Sequence, residues 1–419
     1  MGASLLVGLQ YSEMIKCDCG SLLLPIRPGS AGVVVWALMV VAGLGVGVFA
    51  EQNPWPVVQC QVETTPIAKE GDAADDPAVW VNAADPARSL IIGTDKKAGL
   101  HVYTLGGVQV QSLLDGRMNN VDVLHNVPAS APAPGTVDMV FASNRTGDLL
   151  AAYLVDRTTG VLSVLPGGPF DTDLKEVYGV CAYLDLATGL PHVVVNDKTG
   201  AVRIYRLTQG NAGAWSTAVV SSFHVGTQVE GCVADTANGW LYIGEECVGL
   251  WRYPLPGYGH TEEGPARTLV DVVRGPLGGK DGGNLARDVE GVSIWEGPGR
   301  SGWIVVSCQG EDRYAVYSRE TGVYVGSFRL SFAGPHGLDP VTHTDGVTVT
   351  STPLGPAFPR GAIVVQDDNN GSMQNFKVAD WRLVEEALSL DSGGGVKPAG
   401  GAGGMGVGGS SPTSPVSRP

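Results

Sequence analysis

Residues 75–105 read DDPAVWVNAADPARSLIIGTDKKAGLHVYTL. Two acids open an apolar strand. A second strand ends in a polar cluster at Lys97, and a third ends in tyrosine. Strands rich in Val and Ile bounded by Gly, Asn, Asp and Pro read as β-structure with tight turns. The same order recurs six times. The second-strand ends are LIIGTDKK to Lys97, MVFASNR to Arg145, VVVNDK to Lys198, LYIGEE to Glu246, WIVVSCQ to Gln309 and AIVVQDD to Asp368. The spacing of roughly 50 to 65 residues is that of a repeat architecture.

Each copy is preceded by its own first strand: DDPAVW, NNVDVL, VYGVCAY, VEGCVAD, DVEGVSIW and HTDGVTV. Each is followed by a third: LHVYTL, LAAYLV, VRIYRL, LWRYPL, YAVYSR and NFKV. Three strands repeated six times, with room for a fourth in several copies, specify an all-β fold, a six-bladed β-propeller. The propeller is expected over residues 55–388. The alternating segment VVQCQVET near Val57 is expected to pair into the last blade and close the ring.

Antiparallel pairing puts the start of each first strand and the end of each second strand on one face. The first strands are innermost, so their starts crowd the central channel. Asp75, Asp76, Asp122, Tyr178, Glu230, Asp288, Glu290, Asp339 and Asp345 are therefore expected on one rim with Lys96, Lys97, Arg145, Lys198, Glu246 and Gln309. So many carboxylates at close range cannot all stay ionised without counter-cations. Oxygen ligands without a His or Cys cluster favour calcium over zinc. Four cations on the same rim suit phosphate oxygens. Any one Asp-Gly or Lys-Lys pair would be an ordinary turn or exposed loop; the argument rests on their register across six copies.

The remaining sequence sets limits. The net charge of −15 argues against general nucleic-acid binding. Seven cysteines make no disulfide framework, and Cys181 and Cys232 sit in strands as small hydrophobes. Cys247 and Cys308 lack the spacing to arginine that a cysteine phosphatase needs. Residues 31–50, AGVVVWALMVVAGLGVGVFA, read as a signal peptide or an uncleaved signal anchor over residues 1–50. The expected location is secreted, periplasmic or membrane-anchored facing outward. Residues 389–419 are rich in Gly, Pro and Ser and are expected to be a disordered tail.

The strings DDPAVW, GTDKKAGLHVY, NNVDV, ASNR, EVYG, VEGCVAD, LYIGEE, DVEG, TDG and QNFK resemble those of the β-propeller phytases, in order, from Asp72 to Trp381. The resemblance implies calcium-dependent hydrolysis of myo-inositol hexakisphosphate (phytate), of the 3-phytase type, by a monomer. It implies that Asp75, Glu230, Glu246, Asp288, Glu290, Asp339 and Asp345 hold several calcium ions, with Asp76 and Gln309 as further candidates. Lys96, Arg145, Tyr178 and Lys198 would hold the phosphate to be cleaved, and Lys97 a neighbouring one. A metal-bridged water would attack phosphorus directly, with Glu230 orienting or deprotonating it. The chain departs from the family pattern at Glu311, at His343 in LDPVTHTDG, and in the short loop DDNNGSM. Two readings from other classes stay open: a calcium-dependent propeller lactonase and a non-catalytic binding propeller.

Overall fold

In a computed structural model, the structure describes residues 55–391 except 132–133, 257–259, 262–263, 276–281 and 335–336. The apolar run at 31–50 and the tail beyond 391 lie outside the described residues.

Six antiparallel sheets follow one another along the chain and form a six-bladed propeller. Blade 1 is Ala74–Trp80, Leu90–Asp95, Gly99–Thr104 and Gln109–Leu113. Blade 2 is Met118–Ala129, Gly135–Asn144, Leu149–Val155 and Leu162–Val164. Blade 3 is Val177–Leu184, Pro191–Asp197, Ala201–Gln209 and Trp215–His224. Blade 4 is Val229–Asp235, Trp240–Glu245, Gly249–Pro254 and Thr268–Val272. Blade 5 is Val289–Glu296, Gly302–Cys308, Arg313–Ser318 and Tyr324–Gly334. Blade 6 is Val347–Thr350, Ala362–Asn370 and Met373–Asp380.

The segment after Trp55 divides between two blades. Val57–Cys60 pairs parallel with Tyr324–Gly334 of blade 5, and Val62–Glu63 pairs antiparallel with Met373–Asp380 of blade 6. Only the second pairing matches the expected closure of the last blade. The first adds a strand outside blade 5. Trp55 anchors this crossing strand. The Arg274, Arg313 and Arg329 guanidinium carbons lie 5.7, 4.7 and 5.3 Å from its ring centre.

The core is divided like the fold. Each of six buried apolar clusters fills the gap between two neighbouring blades. Ile92 and Val102 of blade 1 pack on Val121 and Val140 of blade 2, for example. Ile91 and Tyr103 pack on Val364 and Phe376 of blade 6. Cys60, Cys181, Cys232 and Cys308 are free and buried, as small hydrophobes would be, whereas Cys247 is disulfide-bonded.

One irregularity repeats and builds the rim. Pairing of the first with the second strand slips at Ala74/Pro77, Met118/Val121, Val177/Val180, Val229/Cys232 and Val289/Val292. Each slip is a bulge at the strand start, a device that re-aims side chains. The residues at the head of these bulges are Asp75, Asn119, Tyr178, Glu230 and Glu290; Asp345 holds the matching place before Val347. The position after each head lies against the next blade. A Cβ on Gly179 would stand 1.8 Å from the Glu230 carbonyl oxygen, and one on Gly231 2.2 Å from that of Glu290. Glycine there lets successive inner strands touch.

Candidate active site

The five bulge heads and Asp345 form an inner ring around the channel mouth, and residues just beyond the second strands, or in blade 6 near the end of it, form a ring outside it. The outer ring reads Lys96, Arg145, Lys198, Glu246, Gln309 and Asp368. Blades 1 to 3 thus supply cations, and blades 4 to 6 supply oxygen-bearing groups. Backbone bonds fix this ring in register: Lys96 N–H donates to Ala73 O (2.7 Å), Arg145 N–H to Arg117 O (2.7 Å) and Glu246 N–H to Gln228 O (3.1 Å).

On the acidic side, carboxylate oxygens of Glu230, Glu246 and Glu290 lie within 4.8 Å of one another, and all three residues are buried. Burial and the charges of Glu230 and Glu246 push Glu290 well above the usual carboxylate range. Burial, then Glu230 and Asp288, push Glu246 up to about 8. Burial also raises Asp288. Burial raises Asp75 and Asp345, against the opposing charge of Lys96. Oδ2 of Asp75 and Oε2 of Glu290 are buried without a hydrogen-bond partner. Crowded carboxylates with unpartnered oxygens and no nitrogen or sulfur donor suit a hard cation such as calcium. The residues present fit that ion.

On the basic side, the Tyr178 ring is a platform. Lys198 Nζ stands 4.5 Å and Arg145 Cζ 5.8 Å from its centre. Burial and then Glu230 raise the phenol well above its ordinary value, so it stays a neutral donor. Ser143 Oγ donates to the Tyr178 carbonyl and accepts from Asn120 N–H at 2.9 Å, which ties blades 2 and 3 below the platform.

The other expected site residues fall in several places. Lys96 lies within the acidic ring, 2.8 Å from Asp75, 2.7 Å from Asp345 and 2.8 Å from Asp72. Burial opposes its charge, but Asp345, Asp75 and Asp72 outweigh burial and hold Lys96 well above its ordinary value. Lys97 is nearer the edge, its ammonium on the Glu70 carbonyl. Gln309 donates to Asp345 Oδ1. Asp288 has a left-handed backbone, φ 59°, just before blade 5. Asp76 turns along the channel, where its Oδ2 accepts from Val121 N–H at 3.0 Å.

Two acids expected on this rim stand elsewhere. Asp122 lies three residues past its bulge head and accepts from Ala182 N–H at 2.7 Å, deeper in the channel. Asp339 pairs with blade 5 and contacts Lys377 Nζ at 2.5 Å, while Asp367 holds the same ammonium at 2.7 Å. Lys377 already supplies the cation between those two carboxylates. The departure at Glu311 has a local cause too. Its Oε2 receives Arg274 Nη2 at 2.7 Å and Arg313 Nε at 2.6 Å, beside the Trp55 anchor.

Three residues here were not singled out from the sequence. Asn119 donates to Glu230 Oε1 at 2.8 Å and accepts from Arg145 Nη1 at 3.2 Å. Gln228 Nε2 donates to Glu246 Oε1 at 2.6 Å, and Asp72 covers Lys96. The signal for Asn119 was present. Aligning the six strand starts on their bulges, rather than on their acids, puts Asn119 in the series with Asp75, Tyr178, Glu230, Glu290 and Asp345.

The family model described as Phytase matches residues 30–397. The chain belongs to the phytase family. A curated relative, the 3-phytase of Bacillus subtilis (strain 168), is 34% identical over 342 residues, covering 79% of this chain and 85% of the relative. This phytase-family chain also resembles solved structures far more distantly. The α-L-arabinofuranosidase Arb93A of Fusarium graminearum shares 10% identity, covers 78% of this chain and 98% of its own, and has a TM-score of 0.47. The Cps50 (Swd1) β-propeller domain of Myceliophteria thermophila shares 10%, covers 73% and 83%, and has a TM-score of 0.39.

Proposed function

We propose that this phytase-family enzyme hydrolyses phosphate monoesters of phytate and requires calcium to do so. The observation that carries this reading is the polarised double ring. Three buried glutamates within 4.8 Å of one another face Arg145 and Lys198 across the Tyr178 platform. A polyanionic ester with a divalent cation matches both halves.

Glu230, Glu246 and Glu290 would hold the ion nearest the phosphate, and Asp75, Asp345 and Asp288 would extend the set. Asp76 and Gln309 would be further ligands; Asp339, already paired with Lys377, is the weakest member of the notional set. When bound, calcium supplies positive charge against phosphate oxygens and makes a nearby water more acidic. Glu230, central to the ring, accepts a proton from the attacking water. Arg145 and Lys198 offset charge on the equatorial oxygens as the ester bond breaks, and the neutral Tyr178 hydroxyl donates to one of them. Lys96, paired with Asp75 and Asp345, would complete the basic arc if those carboxylates turned to a bound cation. Lys97, further out, holds a neighbouring phosphate of the same substrate. Each turnover thus consumes one water and releases inorganic phosphate and an inositol phosphate with one phosphate fewer. We place the enzyme outside the cytoplasmic membrane, exported by the apolar run at 31–50.

Phosphate release from phytate, measured with millimolar calcium and again with excess chelator, tests the reading. Release that depends on calcium and returns when it is restored supports it. Equal release under both conditions would show that the acidic half-ring has another purpose.

A further inference from the structure

We propose that Asn119 is a positioning residue that holds the Arg145 guanidinium and the Glu230 carboxylate apart, so that each faces the reacting phosphate. The inference rests on the phosphate-ester reading above.

Asn119 is fully buried at the bulge head of blade 2. Its amide is used at both ends. Nδ2 donates to Glu230 Oε1 at 2.8 Å, and Oδ1 accepts from Arg145 Nη1 at 3.2 Å. That is the one hydrogen bond made by the Arg145 guanidinium among the described residues. The fork's other nitrogens remain available for an anion.

Bridged by a single amide, the half-buried Arg145 guanidinium and the buried Glu230 carboxylate attract one another, and a direct pair would be bidentate. Such a pair would neutralise both groups and withdraw Arg145 from the substrate. The amide prevents it by offering each charge a partner of matching polarity. Its oxygen faces the cation and its N–H faces the anion. Aspartate at this position would keep the bond to Arg145 but set a second negative charge against Glu230. Leucine would keep the volume and offer neither bond. Within the inner ring the other five heads are four carboxylates and one phenol. The one neutral amide among the six stands in blade 2, the middle blade of the three that supply cations, and it bridges Arg145 to Glu230 of blade 4.

The test uses the full chain with calcium present, and the variants Asn119→Leu, Asn119→Asp, Arg145→Ala and both double variants. Inhibition by inorganic phosphate and the separate kcat and KM for phytate are measured for each, alongside melting temperature. Asn119→Leu and Asn119→Asp are expected to weaken phosphate inhibition roughly tenfold in the Arg145 background, the scale of one lost charge-assisted contact. Combined with Arg145→Ala, the same substitutions are expected to change it by less than about twofold, because partners in one network are not additive. Losses that multiply in the double variants would overturn the proposal. So would wild-type phosphate inhibition in both single variants. Asn119→Asp, which leaves no cavity, provides the answer if Asn119→Leu does not fold. A wild-type enzyme that neither releases phosphate from phytate nor binds inorganic phosphate would instead remove the functional reading, and this inference with it.

Discussion

At the scale of single residues, charge sign divides the site, and substitutions should sort by it. Glu246→Gln removes one negative charge from the glutamate cluster proposed to hold calcium. Its variant should need more calcium for half-maximal activity, and excess calcium should restore part of the loss. Lys198→Ala removes the ammonium over Tyr178. Its kcat/KM for phytate should fall roughly ten- to a thousandfold, about 1.4–4 kcal/mol of transition-state stabilisation, and added calcium should not restore it. Steady-state kinetics across a calcium series separates the two. Wild-type kinetics in Lys198→Ala would make the basic arc ordinary surface. Much of this division was legible from residue types in repeat register. What sequence could not show was which acids already have a cation. Asp339 reads as a ligand in LDP, yet Lys377, 38 residues further on, contacts it at 2.5 Å. Lys96 reads as a phosphate-binding residue, yet it stands among three carboxylates.

At the scale of elements, the recurring bulge is what converts six strands into a site. It displaces each strand start by the residues that slip, so alignment by acidic residue misplaces blade 2 by three positions. Asp122 then looks like the rim residue and Asn119 like a turn. The blade count was legible because apolar strands and turn residues alternate with a regular period. The split of the first segment between blades 5 and 6 was not, because parallel pairing of Val57–Cys60 depends on a partner some 270 residues away. Two elements can be tested directly. Gly179→Ala puts a Cβ 1.8 Å from the Glu230 carbonyl oxygen and should destabilise the protein by about 1–3 kcal/mol or more while shifting Glu230. Denaturant unfolding together with activity reads both effects; an unchanged midpoint would mean that the blades do not meet there. Trp55→Ala removes three cation–π contacts and should cost about 1–3 kcal/mol without changing kcat. A loss of kcat at full stability would tie the anchor to the site instead.

At the scale of the whole molecule, ring closure gathers negative charge at one end of the channel, and stability should register it. In the metal-free protein Glu246 is pushed up to about 8 from an ordinary 4.5, mainly by burial. Asp75, Glu290 and Asp345 are raised for the same leading reason. A carboxyl whose folded pKa is raised stabilises the fold while protonated. That contribution is full below about pH 4.5 and is lost as pH rises through about 8. In chelator the melting temperature should therefore fall between pH 5 and 8. The proposed calcium would bind the ionised forms and only in the folded site, so in calcium the fall should vanish or reverse. Parallel curves with and without calcium would contradict this. The most direct measurement is a crystal structure of the enzyme with calcium and inorganic phosphate. The account predicts calcium at about 2.3–2.6 Å from carboxylate oxygens of Glu230, Glu246 and Glu290, with phosphate oxygens against Arg145 and Lys198. Calcium bound elsewhere with those glutamates bare, or phosphate absent from the Tyr178 platform, would contradict it.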